Sequence, residues 1–369
     1  MNRILALIRK ELLSVWRDKK SRFILIFPPL WQLFVFSFAA TLDVKNITIG
    51  ILNRDSGEKG FELVQRFHGS RYFTKVILLD AVESIAPFID EQRGPVVLSI
   101  DEEFSRKLDA RQTPPLQVIL DGRKSNTSQI VAGYVNTIVD QFAKEVAFKD
   151  NIPTEPIRLV PRNWFNPNLL YPWFTVPGLL AILTMVEAIL ITGLSVARER
   201  ELGTFDQLLV SPLTPSEILI GKTVPAILIG MAEGLLLILA ILLVFRIPFE
   251  GSFLLLLLSM FIYITAITGV GLFISSLCST QQQAILGSFV FLTPAVLLSG
   301  FATPVENMPV WLQYTTYLNP TRYFMYLCRG LFLKDLAAHT VFMNIWPLCL
   351  IAIFNLTAAA RFFRRRFGV

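Results

Sequence analysis

The stretch Arg198-Glu199-Arg200-Glu201-Leu202-Gly203-Thr204-Phe205-Asp206-Gln207-Leu208-Leu209-Val210-Ser211-Pro212-Leu213 is flanked on both sides by long apolar runs. Each flanking run approaches the ~20 residues that cross a ~30 Å hydrocarbon core. A charged segment between two such runs reads as a loop at a membrane face. It is too short for a domain and too patterned for a passive turn. Gly203 can end one helix, and Phe205, Leu208 and Leu209 then fall at helical spacing. The pattern predicts a short amphipathic helix offering acidic and amide groups to a cytosolic partner.

Composition agrees with the membrane reading. Hydrophobic residues make up 53% of the 369 and charged residues 17%, against about 25% charged in an ordinary globular chain. The net charge of +6 could suggest nucleic acid, but its placement argues otherwise. Arg3, Arg9, Lys10, Arg17, Lys19, Lys20 and Arg22 crowd one end, and Arg361, Arg364, Arg365 and Arg366 the other. Basic residues beside spans mark the cytoplasmic face and attract anionic headgroups, so membrane lipid is the expected partner and nucleic acid is not.

Working outward, residues 1–22 read as a cytoplasmic amphipathic helix lying in the interface. Residues 23–42 form a first span, a retained anchor rather than a cleaved signal, its continuous helix expected to begin near Pro29 of the Pro28-Pro29 pair. Residues 43–170 read as an extracytoplasmic α/β domain. Its predicted strands are 47–52, 76–79, 95–100 and 116–120, and its predicted helices 58–68, 82–91, 102–110 and 126–149. Five further spans follow near 174–196, 224–245, 253–276, 284–301 and 342–360 within residues 171–369. The fold class is thus an α-helical integral membrane protein with six transmembrane helices and an α/β domain inserted between helices 1 and 2. Six spans put both termini in the cytoplasm together with the 198–222 loop. Residues 302–341, rich in prolines and aromatics, read as a re-entrant segment of the outer leaflet.

Few residues suggest chemistry. Gly221-Lys222-Thr223 resembles the end of a phosphate-binding loop, but position 216 is Ser and the residues between are bulky, whereas a phosphate cradle needs a glycine-rich loop. Thr214, Pro215 and Glu217 instead suit N-cap, N1 and N3 of a helix. His68 and His339 are isolated, and Cys278, Cys328 and Cys349 fit no metal spacing. Glu187 and Glu233 fall near the middle of apolar spans. Carboxyls at that depth mark a translocation path or an interhelical hydrogen bond, and Gly230-Met231-Ala232-Glu233-Gly234 adds a packing motif around the second of them.

At these residues the chain resembles the permease subunits of bacterial ATP-binding-cassette exporters of the ABC-2 type, in the drug-efflux branch with a large external domain after the first span. The resemblance rests on Arg198 to Pro212 with Glu217, Gly221 and Lys222, on Asn166-Pro167-Asn168-Leu169, on Lys10-Glu11 with Arg17-Asp18, and on Asn319-Pro320. Ser211 departs from the threonine common before the proline. The resemblance implies an ATPase-coupling surface made by Arg198, Glu199, Arg200, Glu201, Gly203, Thr204, Gln207, Leu208 and Pro212. It implies two cytosolic ATPase subunits, which hold the ATP and Mg, while this chain binds no cofactor. It further implies a homodimer or a heterodimer with a sister permease, a periplasmic adaptor protein, and a place in the bacterial cytoplasmic (inner) membrane. The competing readings are an ion-coupled secondary carrier using Glu187 and Glu233, and a membrane-anchored sensor.

Overall fold

The structure, a computed structural model, describes residues 2–39, 47–121, 125–149, 170–205, 207 and 213–367. In chain order its elements are α1 (Asn2–Arg17), α2 (Lys19–Ala39), β1 (Ile47–Asn53), α3 (Glu58–His68), β2 (Phe73–Leu78), α4 (Ile85–Asp90), β3 (Val96–Ile100), α5 (Phe104–Asp109), β4 (Leu116–Leu120) and α6 (Ser125–Lys149). Then come α7 (Tyr171–Glu201), α8 (Pro215–Leu243), α9 (Phe253–Leu277), α10 (Gln281–Leu297), α11 (Val310–Thr316), α12 (Pro320–Leu333) and α13 (Ala338–Phe367). They form two compact units, Thr41–Pro161 and Met1–Ala40 with Arg162–Val369.

The unit Thr41–Pro161 is built on a four-stranded sheet of order β2-β1-β3-β4. β1 runs parallel to β2 and β3, while β4 returns antiparallel to β3. A parallel pair covered on both faces needs near-continuous apolar strands, and β1 and β3 supply them, with every residue of β3 buried. Ile49, Ile51, Val96 and Leu98 meet Leu63 and Phe67 of α3 and Val135 and Phe142 of α6 in one core. On the other face Gly50 leaves the room that the Phe88 ring of α4 fills.

In the other unit α7, α8, α9 and α13 are long and apolar enough to cross a membrane, and Leu25–Phe38 is a shorter apolar stretch of α2. α9 is the central helix, packed on α7, α8 and α13. Small residues make its crossings close. A Cβ at Gly271 would collide with Thr192 Oγ1 of α7, and one at Gly269 would lie 2.8 Å from Asn355 Cβ of α13. Side-chain amides and hydroxyls tie the helices where hydrocarbon offers no hydrogen bonds. Asn355 donates to the Ala266 carbonyl at 3.1 Å, and the buried Tyr263 hydroxyl donates to the Ala181 carbonyl at 2.9 Å.

α2 corrects one expectation. Its helix does not start near Pro29 but runs from Lys19 to Ala39 through both prolines. A start at Pro29 would leave the amides and carbonyls of the preceding apolar residues unpaired. Continuing the helix sacrifices only the two bonds that the prolines cannot donate. Residues 302–341 form a 3₁₀ turn at Val305–Asn307 and the helices α11 and α12. Phe324, Leu327, Cys328 and Leu331 of α12 are buried in the main core. Among the described residues no group of side chains could hold a metal ion.

Candidate coupling site

The charged stretch is the end of a helix before it is a loop. α7 continues through Arg198-Glu199-Arg200-Glu201, beyond the span expected to stop near 196. It ends at Gly203, which takes φ +71°. The Gly203 amide donates to the Arg200 carbonyl and the Thr204 amide to the Glu199 carbonyl, both at 3.0 Å. This paired closure with glycine in the left-handed position is the Schellman ending. A side chain at that position costs about 1–2 kcal/mol. Gly203→Ala should therefore lose about that much unfolding free energy in detergent, with Gly203→Asn losing less, measured by chemical unfolding.

Helical spacing then sorts the four charges. Glu199 turns inward, its side chain 12% exposed, and its carboxylate meets Lys222 Nζ at 2.8 Å and Lys10 Nζ at 3.1 Å. Lys222, on α8, is fully buried and also lies 3.4 Å from Glu11 Oε1. It donates to Ser195 Oγ at 3.2 Å. Lys10 closes the square with Glu11 at 3.6 Å. Two ammonium groups and two carboxylates from α1, α7 and α8 thus balance at one point. Burial alone would lower the Lys10 pKa, but the Glu199 and Glu11 carboxylates outweigh it and hold the ammonium above its ordinary value. The cluster is possible because Gly221 brings α1 directly onto α8. A Cβ there would collide with the Leu7 side chain.

The next two charges grip the turn between α9 and α10. Arg200 Nη1 donates to the Cys278 carbonyl at 2.8 Å, and its guanidinium lies over the Phe205 ring. Glu201 Oε2 accepts from the Gln281 amide at 2.7 Å. Phe205 is buried against Val196, Ile218, Leu272 and Phe363, a small core shared by α7, α8, α9 and α13. Thr214 caps α8 as expected: its hydroxyl accepts from the Glu217 amide, and Glu217 Oε2 accepts from the Thr214 amide at 2.7 Å. Arg198, Glu201, Leu202, Gly203, Thr204 and Gln207 remain exposed, while Leu208 and Pro212 lie outside the described residues. The surface expected from the sequence is therefore divided. Glu199 and Arg200 are committed internally, and the exposed ridge that remains is made of Arg198, Glu201, Leu202, Gly203, Thr204 and Gln207.

Glu187 and Glu233 come together on α7 and α8. Glu187 is an electrostatic neighbour of Glu233. Gly230 and Gly234 pack against Ile264 and Met260 of α9, so the small-residue motif does permit a close approach. Both carboxyl oxygens of Glu233 are buried with no hydrogen-bond partner among the described residues.

Long apolar helices joined by interhelical polar ties, with a charged helix end wired to its neighbours, define a multi-pass membrane protein. The comparisons narrow this class. Residues 19–361 match the family described as ABC-2 family transporter protein. The chain is 48% identical over 365 residues to the probable multidrug ABC transporter permease YbhR of Escherichia coli K12, covering 99% of each chain. It is 33% identical over 350 residues to the probable multidrug ABC transporter permease YbhS of the same organism, covering 93% of this chain and 92% of that one. To the inner membrane transport permease YhhJ it is 29% identical over 367 residues, covering 97% and 96%. The chain belongs to the ABC-2 transporter family and is a permease subunit of an ABC exporter.

Proposed function

We propose that this permease forms the transmembrane half of an exporter in the bacterial cytoplasmic membrane and moves a drug or another amphipathic molecule outward. Two cytosolic ATPase subunits supply the ATP and Mg and dock on the ridge from Arg198 to Gln207 and on α1. Two permeases pair, as a homodimer or with a sister chain. α2, α7, α8, α9, α10 and α13 are the six spans, both termini face the cytosol, and residues 43–170 form the extracytoplasmic domain on which a periplasmic adaptor acts. The observation that carries this reading is the ion cluster beneath the exposed helix end. A push on residues 202–207 is passed through Glu199 to Lys222 and Lys10, so α7, α8 and α1 move together. Nucleotide acts on the bundle because one arrangement of these helices fits the closed ATPase pair better.

Mild-detergent purification from native membranes with mass spectrometry tests this. A P-loop ATPase at one copy per permease is the expected companion. Leu202 is 63% exposed, so Leu202→Glu should leave the fold intact and cut the recovered ATPase about tenfold, as loss of one anchor residue does. Reproducible absence of any ATPase would reject the reading in favour of an ion-coupled carrier using Glu187 and Glu233.

A further inference from the structure

A cavity of about 740 Å³ opens between α1, α2 and α8. This lies within the roughly 300–1,000 Å³ range of sites that hold drug-sized molecules. Leu5 and Leu12 of α1, Leu25 and Ile26 of α2, and Leu228 and Leu236 of α8 line it. At 1.5 Å per residue, Leu228 and Leu236 stand about 9 and 21 Å farther along α8 than Lys222, where α1 is tied down. The apolar wall therefore leads from the level of α1 into the span. Two cations break it. Arg9 comes from α1 and Arg22 from the first turn of α2. The Arg22 guanidinium is held over the Trp16 ring, 5.9 Å from its centroid. Glu233 also reaches the wall, but both its carboxyl oxygens are closed off, so it presents only carbon.

The two arginines differ from the lysines beside them. Lys10, next to Arg9 in α1, is matched by Glu199 and Glu11, and Lys222 by the same two carboxylates. Among the described residues neither Arg9 nor Arg22 has an acidic partner. Arg9 is exposed and Arg22 half-buried, so both can meet a group entering from the membrane. A guanidinium against an apolar wall loses part of its hydration, and an anion beside it offsets that loss.

We propose that this cavity binds one anionic phospholipid of the leaflet on which α1 lies, its phosphate on Arg9 and Arg22 and an acyl chain against Leu228 and Leu236. A guanidinium matches phosphate oxygens with paired N–H donors. The basic N-terminal end attracts anionic headgroups as a whole, whereas the cavity holds one lipid at one place. Bound there, the lipid fills the space inside the three helices and braces α1 against α2 and α8. The proposal goes beyond the permease reading and needs only that α2 and α8 lie in a membrane.

The test uses the purified full chain, delipidated in a neutral maltoside detergent. The probe is a phosphatidylglycerol with a photoreactive diazirine on one acyl chain, and labelled peptides are mapped by mass spectrometry. Labelling should fall in α1, in the start of α2 and in residues 228–236 of α8. Unlabelled phosphatidylglycerol should displace the probe at least about tenfold better than phosphatidylcholine with the same chains, as two arginines beside an anionic headgroup require. Glycerol phosphate, an anion of the same kind without chains, should not displace it. Arg9→Gln with Arg22→Gln should erase the preference. Arg17→Gln, at an exposed arginine of α1 outside the cavity wall, should keep it. Ala232→Trp, at an exposed position of α8 on the wall, fills the cavity with both arginines in place and should block labelling. Labelling elsewhere, displacement by glycerol phosphate, an unchanged preference in the double variant, or an equal loss in Arg17→Gln would each overturn the proposal. None of these outcomes involves the ATPase, so failure here is separate from failure of co-purification.

Discussion

Lys222→Met should destabilise the membrane unit by about 3–5 kcal/mol, the usual cost of removing one partner from a buried ion pair. The lysine side chain has no exposure and Glu199 has little, so the carboxylate left behind cannot recover its loss from water. Lys10 still holds one oxygen of Glu199, which places the effect toward the lower end. The double variant Lys222→Met with Glu199→Met should recover most of the stability, because both desolvation penalties vanish together. Transport should not recover, since no charge then links α7 to α8. Chemical unfolding and a vesicle transport assay, run as a double-mutant cycle, separate the two. Restored transport in the double variant would show that the cluster only holds the bundle together.

The second large effect is expected at the crossing of α7 and α9. Gly271→Ala puts a methyl group onto Thr192 Oγ1, with the Ile189 carbonyl of the same helix 3.1 Å away. Overpacking of this kind costs about 1–3 kcal/mol. Gly271→Leu should prevent accumulation of folded protein altogether, because backbone cannot yield as a flexible side-chain tip can. Thr192→Ala combined with Gly271→Ala should regain part of the loss and leave the rest to the Ile189 carbonyl. Monodispersity on size exclusion and thermal unfolding report the outcome. Equal stability of Gly271→Ala and the wild type would mean that the crossing is looser than the distances state.

Much of this was legible from hydropathy and alternation. The strands at 96–100 and 116–120 fall where apolar runs between turn residues put them, and the α8 cap follows from Thr214, Pro215 and Glu217. What sequence reading missed was direction. Arg198 to Glu201 looked like four surface charges, but a helix turns 100° per residue, and α7 did not stop where its apolar run stopped. Glu199 therefore falls on the face of Ser195, toward Lys222, and Arg198 on the face of Leu202, toward the exposed ridge. Lys222 carried a usable signal: a lone cation in the apolar run of α8 needs an anion nearby. The sequence reading places it in a false phosphate loop and in the family pattern, and neither assigns it a buried anionic partner. Its partners could not be read from spacing, because they lie 23 and 211 positions away. The proline pair of α2 misled for a related reason, since the rule that prolines begin helices holds where water can satisfy the backbone behind them.

The cluster also bears on the order in which the protein is made. Lys10 is translated 189 residues before Glu199. At about 5–20 residues per second this is a wait of roughly 10–40 s. During that interval α1 has left the ribosome but has neither of its later partners, and the Leu7 side chain has no Gly221 to cover. The N-terminal helix must be kept on the lipid surface by its own basic and apolar faces until α8 is inserted. Its final docking waits on that insertion, and the square of charges closes only on a bundle in which α8 is already in place.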